Sequence, residues 1–352
     1  MGDAGVASAA DINSQNWNVA KYPFANSASG ISISYTPWLR SLIPDINLAY
    51  LSGYYKIDSV QVISSSFRFF SLGSITFTGY NGTVTGQYHP IEFAYDAGYS
   101  RLFTDNFSGG VVLRFIYSNL TMGQPTADGQ ATKTGISFAA DLGLLYRKAF
   151  SIGGNNALWA AGINISNLGT PISYTSDSQK SPIPSNLRIG FMGQYHINEN
   201  HSVSLMADFN KLLVPTPPVY DTDTITGESY IAYGMEPPGS VAAGIFQSFY
   251  DAPGHVMPDG SRSVLLEELY EIMLGFGAEY WYKSMVAMRA GYFHEHATKG
   301  NRKYFTIGAG LSLNRYSLDL AYVIPTEGQD TPLANTLRFT FSVNFVRNKK
   351  KI

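Results

Sequence analysis

The sequence predicts an all-β fold: a transmembrane antiparallel β-barrel of fourteen strands, with an N-terminal hatch in its lumen. Three observations lead there. The 352 residues carry only 14% charged side chains, against about 25% in a typical soluble domain, while 14% are aromatic, with 24 Tyr and 21 Phe. No stretch approaches the ~20 apolar residues that cross a bilayer as a helix. Apolar residues alternate instead with small or polar ones, as they must where every second side chain faces lipid and all backbone groups pair between strands.

Residues 1–28 come before the first alternating segment. They hold small residues and then, from Asp11 to Ala25, the pattern of short helical turns. This segment is long enough to enter the barrel and plug it. The barrel proper is expected over 29–346, with strands at 29–36, 45–56, 59–78, 90–102, 107–119, 134–148, 156–168, 185–197, 200–213, 267–282, 284–296, 303–313, 315–324 and 334–346. The third could be cut in two at Ser71-Leu72-Gly73. Single-chain bacterial barrels have even strand numbers, so the spot is read as a kink or bulge in one long strand.

The alternation is strictest in the last strand. Leu337, Phe339, Phe341, Val343 and Phe345 share one face; Arg338, Thr340, Ser342 and Asn344 share the other. Such a period of two marks a strand with one buried face. It returns at Phe305, Ile307, Ala309, Leu311 and Leu313; at Ile91, Phe93, Tyr95, Ala97 and Tyr99; and at Ile272, Leu274, Phe276, Ala278 and Tyr280. The opposite positions carry Gly, Ser and Ala rather than many Lys and Glu, as a crowded lumen requires.

Connections alternate between short and long. Short turns fall near 56–59, 103–106, 149–155, 198–199, 283 and 314. Short turns belong on the periplasmic side and long loops outside, so both termini are expected in the periplasm. The connection 214–266 is far longer than the ~12–15 residues usual for an unstructured loop. Its prolines at 215, 217, 218, 237 and 238 precede Val241, Ile245, Phe246 and Phe249 at helical spacing, so it should hold a short helix. The tail 347–352 is basic, with Arg347, Lys349, Lys350 and Lys351. It reads as a solvated tail or as a contact for anionic lipid or lipopolysaccharide headgroups.

Enzyme chemistry finds little support. The net charge of −2 gives no field for nucleic acid, and the absence of Cys excludes thiol chemistry and Cys-based zinc sites. His294-Glu295-His296 is the one metal-like cluster, and two His without a third ligand make a weak site. Gly275-Phe276-Gly277 and Gly308-Ala309-Gly310 lie within strands with no helix following, so they are not phosphate loops. No catalytic residue, metal site or cofactor is expected. Lumen-facing charges are mixed: Glu92, Asp96, Arg114, Asp141, Arg188, Asp208, Glu271, Glu279, Arg289, Asp319 and Arg338. An ion-selective pore would favour one sign; mixed signs point to a lumen filled and held by ion pairs. Met1–Val6 shows neither a basic start nor an apolar core. A barrel must first cross the inner membrane, so a signal segment is inferred to have been removed.

Met1-Gly2-Asp3-Ala4-Gly5-Val6-Ala7 resembles the opening of the FadL family, fourteen-stranded barrels with a lumenal hatch. Asn18-Val19-Ala20-Lys21-Tyr22-Pro23 departs from the Asn-Pro-Ala that family members often carry. Five further segments resemble the PorV family, the FadL-like barrels of the type IX secretion system of Bacteroidetes. They are Tyr35–Arg40, Pro44–Tyr50, Pro238–Ile245, Ala290–His296 and Asn335–Phe339. The resemblance implies a non-enzymatic outer-membrane protein. It would take cargo from the large translocon by the cargo's C-terminal signal domain and pass it to a surface attachment complex containing the sortase PorU. The candidate partner-binding residues are Pro237, Pro238, Val241, Ile245, Phe246 and Phe249. The alternative is a FadL-type transporter of long-chain fatty acids or other hydrophobic solutes, with Gly73 as a candidate kink beside a lateral gap.

Overall fold

Alternating side chains become two faces of one closed wall in the computed structural model of the chain, which describes residues 1–38, 45–79, 81–126, 129–175, 180–326 and 336–345. Fourteen strands form the barrel: β1 (Ser29–Pro37), β2 (Asn47–Lys56), β3 (Gln61–Ser71), β4 (Ile91–Thr104), β5 (Phe107–Asn119), β6 (Gly135–Ile152) and β7 (Asn155–Gly169). The second half is β8 (Asn186–His196), β9 (His201–Leu212), β10 (Met273–Tyr282), β11 (Val286–His294), β12 (Lys303–Leu313), β13 (Tyr316–Pro325) and β14 (Leu337–Phe345). Each strand pairs antiparallel with its neighbours in sequence, and β14 closes on β1 from Ser29↔Phe345 to Tyr35↔Phe339. Bulky positions point outward: Ile31, Leu113, Phe138, Leu205 and Phe305 are all exposed, with lipid as their solvent. Small polar positions point inward, and the Ser342 hydroxyl donates to Ser32 across the seam at 3.0 Å.

The structure corrects the sequence reading at four places. The third strand is not one long kinked strand. β3 stops at Ser71, and Ile75–Thr78 pairs with Val84–Tyr88 in a separate hairpin. Gly73 breaks the run with φ +79°, and the amide of Ser74 turns away to donate to the Asp45 carboxylate at 2.7 Å. The expected strand 267–282 begins only at Met273, because Val264–Tyr270 is a helix. The turn placed at 149–155 is only Gly153-Gly154, both at positive φ, the pairing a tight hairpin turn needs. Tyr54 and Trp281 sit at strand ends near the short turns, where an inner, periplasmic-side aromatic girdle is expected, but they point into the lumen: Tyr54 is buried and stacks on Tyr22 at 4.9 Å, and Trp281 lines an interior cavity.

The hatch fills the lumen. It folds into two short 3₁₀ turns, Ser14–Asn16 and Val19–Phe24. Val6, Ala20, Lys21 and Tyr22 are all fully buried at 0% exposure, so the segment is the barrel's core and not a tail. Its polar backbone is satisfied by the wall. Asp208 of β9 accepts from the amides of Gly5 and Val6 at 2.7 and 2.9 Å. Ser108 of β5 donates to the Ala20 carbonyl at 2.5 Å, and the Asn18 amide donates to the Leu144 carbonyl at 2.9 Å. The buried Lys21 ammonium donates to the Gly5 carbonyl and the Ser8 hydroxyl at 3.0 and 2.9 Å, which offsets part of the cost of burying it.

The inward glycines now have a reason: the wall is thin where the hatch touches it. A Cβ added at Gly291 would collide with Met1 and Gly2, and one at Gly275 with the Gly2 carbonyl. Gly291→Val should therefore unseat the first residues at a cost of about 1–3 kcal/mol. Protease cleavage within residues 1–8 of the detergent-solubilised barrel should appear in the variant and not in the parent.

Candidate functional site

The chain leaves β9 at Leu212 and re-enters the wall at Met273, and the connection between them is the candidate site. It holds a hairpin (Val219–Thr222 with Ser229–Tyr233), helix α1 (Val241–Gln247), a second small hairpin (His255–Val256 with Arg262–Ser263) and helix α2 (Val264–Tyr270). Pro237 and Pro238 lie ahead of α1 in a stretch without regular structure. The Ser240 hydroxyl then caps the helix by accepting from the Ala243 amide at 3.2 Å. Seven residues are too few for an independent helix, so α1 depends on what it packs against. Gly244 lies against Pro215, close enough that a Cβ would sit 3.1 Å from the ring. Ser248 is fully buried and donates to the Ile245 carbonyl at 2.8 Å.

This docking sorts the candidate residues. Val241 and Ile245 are half-buried on the packed face with Gly244 and Ser248. Phe246 and Phe249 face out, 72% and 46% exposed, beside the exposed Tyr250. Pro237 is exposed and Pro238 half-buried behind it. The sequence reading missed α2, whose Val264, Leu265 and Leu269 are also exposed. A usable signal was present: Ser263 before Val-Leu-Leu-Glu-Glu-Leu is a cap followed by strong helix formers, and its hydroxyl accepts from the Leu266 amide at 3.3 Å.

Ion pairs clamp this connection to the wall. Lys211 at the end of β9 reaches Glu268 and Glu271 at 2.8 and 2.7 Å, and Lys299 reaches Glu267 and Glu271 at 2.7 and 3.0 Å. Thr216 donates to Glu271 at 2.8 Å. Burial alone would raise the pKa of Glu271; hydrogen bonds from Lys211 and Lys299 outweigh it and hold the group below its ordinary 4.5. A lowered folded-state pKa means that its stabilisation is complete above pH 4.5 and is lost as pH falls through the folded value. The protection of amides 264–271, as exchange relative to the intrinsic rate at each pH, should thus be high at neutral pH and fall below pH 4.5. Lys211→Met should abolish the difference by loosening the segment at both.

Elsewhere the mixed lumen charges are paired. Arg114 forks onto Asp96 and Asp141, with shortest contacts of 2.7 and 2.9 Å. Arg289 bridges Glu279 and Asp319 at 2.6 Å each. His294-Glu295-His296 is dispersed: Glu295 pairs with Arg302 at 2.7 Å, while His296 stacks on Tyr270 with centroids 3.5 Å apart. Among the described residues no three metal-ligating side chains converge. The hatch splits the interior into a cavity of about 440 Å³ at the short-turn end and one of about 450 Å³ at the long-connection end. The basic cluster at 347–351 lies outside the described residues, as does the segment 39–44.

A closed fourteen-stranded wall around an N-terminal hatch defines an outer-membrane barrel of the FadL-like class. Solved structures agree on the fold. The deltaS2S3 mutant of the TodX monoaromatic hydrocarbon channel superposes with a TM-score of 0.52 at 13% identity, over 97% of this chain and 96% of that one. The toluene transporters TodX of Pseudomonas putida and TbuX of Ralstonia pickettii give 0.51 and 0.50, both at 12% identity. They cover 97% and 98% of this chain, and 94% and 96% of their own. No curated protein matches the sequence. The family model described as type IX secretion system protein PorV matches residues 1–219, and the chain belongs to that family.

Proposed function

We propose that this barrel is a non-enzymatic docking component of type IX secretion, with its long connections outside the cell and both termini in the periplasm. It binds cargo by the C-terminal signal domain as cargo leaves the translocon, and delivers it to the attachment complex that contains the sortase PorU. One observation carries this beyond family membership. Between β9 and β10, apolar side chains — Phe246, Phe249, Leu265 and Leu269 — are held exposed on a scaffold that ion pairs fix to the wall. Exposed aromatic and aliphatic groups on a preorganised surface are what a protein partner buries. Deleting 236–252 should leave barrel assembly intact and remove cargo and translocon from material isolated from native membranes. Phe246→Asp with Phe249→Asp should do the same without shortening the chain. Unchanged recovery of cargo with both variants would remove the loop from this role.

A second reading has its own support. A cavity of about 570 Å³ at the long-connection end is lined by Trp38, Leu48, Phe70, Ile116, Ile172 and Ile183 with Arg68 and Arg114 at its polar side. It fits an amphipathic solute, as a FadL-type transporter of fatty acids would require. Mass spectrometry of the gently extracted barrel should find an acyl ligand and no secretion proteins if transport is the role.

A further inference from the structure

The cavity above the hatch, at the long-connection end, contains an arginine without a hydrogen-bonded partner among the described residues. Arg188 projects inward from β8, beside Asn164 of β7 and Asn210 of β9. Its guanidinium lies over the Trp17 ring at 5.3 Å. Among the described residues it makes no hydrogen bond or ion pair, and its Nε is buried without a partner. The other charges around the cavity are spoken for. Arg302 is paired bidentately with Glu295, at 2.7 and 2.8 Å. Arg338 lies 3.4 Å from Asp3, whose carboxylate also accepts the Tyr304 hydroxyl. Asp208, the next acid, has one oxygen committed to the Gly5 and Val6 amides. Its second oxygen, Oδ1, is buried without a partner and makes no ion pair with Arg188, so the guanidinium has no bonded counterion among the described residues. Two further polar atoms at the same place, Oδ1 of Asn186 and of Asn210, are buried and unpartnered.

Arg188 is half-buried, but its Nε is fully buried and unpartnered, which is costly for a charged group, and unsatisfied acceptors beside it add to the cost. An acceptor anion satisfies the guanidinium, and a donor next to it satisfies the two amide oxygens. We infer that this cavity of about 450 Å³ binds a carboxylate, with Arg188 as its fork. Donor groups adjoining that carboxylate would meet Asn186 and Asn210. The planar guanidinium matches a carboxylate with two parallel hydrogen bonds. Trp17 fixes the fork from behind. The carboxylate has two sources, a free small acid or the carboxy terminus of a polypeptide entering from the loops. The inference does not depend on the partner role of the α1 segment.

Calorimetric titration of the full chain in detergent tests it, with acetate, N-acetyl-triglycine and the C-terminal amide of that peptide as probes. The peptide acid should bind at least about tenfold more tightly than its amide, the ratio expected for loss of a charge-assisted hydrogen-bond pair. Arg188→Gln should remove that preference, with folding checked by heat-modifiable gel mobility. Acetate competing fully with the peptide acid assigns the site to free small acids; acetate failing to compete assigns it to a chain terminus. Equal binding of acid and amide by the unaltered protein would overturn the proposal whether or not the variant folds. So would a folded Arg188→Gln protein that keeps the preference.

Discussion

Deleting residues 2–24 is expected to turn a silent barrel into a conducting one. In planar bilayers the full chain should show no stepwise conductance, and the deletion should show large, long-lived steps. The hatch is the only chain segment among the described residues that crosses the lumen between the two interior cavities. Its Val6, Val19 and Tyr22 are buried at 0–1% exposure. Without it the inward face is largely serine, glycine and paired charge, a surface that water wets readily. The wall should survive, because its backbone bonds run strand to strand and owe nothing to the hatch. Conductance equal to that of the full chain would mean that another element closes the lumen.

Arg114→Met should cost about 3–5 kcal/mol of stability, the usual penalty for breaking a buried pair from one side. Arg114 meets Asp96 through Nε at 2.7 Å and Nη2 at 3.0 Å, and Asp141 through Nη2 at 2.9 Å and Nη1 at 3.2 Å. The three side chains are 4–6% exposed, so little solvent screens them. Removing the cation leaves two carboxylates with only each other and the hydroxyl and amide donors around them. The network also reaches the hatch, through Ser66 on Asp96 at 3.0 Å and Gln15 on Ser66 at 3.1 Å. Urea unfolding followed by tryptophan fluorescence would measure the loss. Adding Asp96→Asn to Arg114→Met should recover part of it, because one bare charge is then removed.

The wall was legible because lipid imposes a period of two on every strand, and Leu337 through Phe345 display it without interruption. Fourteen strands close the wall as the alternation predicts, although Ile75–Thr78, whose alternation continues that of β3, pairs outside the barrel. Alternation misled only where it ran on by chance. Leu269, Glu271 and Met273 continue the spacing of β10, yet a serine cap at 263 turns the first part into a helix. The paired lumen charges were legible as a mixture but not as pairs. Which acid meets Arg114 or Arg289 depends on strand register across the sheet, which periodicity does not encode. The same holds for Arg188, whose lack of a bonded counterion exists only in three dimensions. Helical spacing marks Val241, Ile245, Phe246 and Phe249 together, although Phe249 lies just past the end of α1; only the contact of Gly244 with Pro215 separates those that pack from those that face out.

The seam between β1 and β14 has a kinetic meaning. It joins residues 29–35 to residues 339–345, so the ring closes only after nearly all of the chain is in place. Contacts so distant in sequence form slowly. The hatch immediately precedes the first strand of that seam, and once the seam is shut it sits inside a wall without an edge. Plugging and closure are thus one event in time. An assembly intermediate with an open seam would hold its hatch loosely. The slowest refolding phase should report both the last pair of strands and the burial of Trp17.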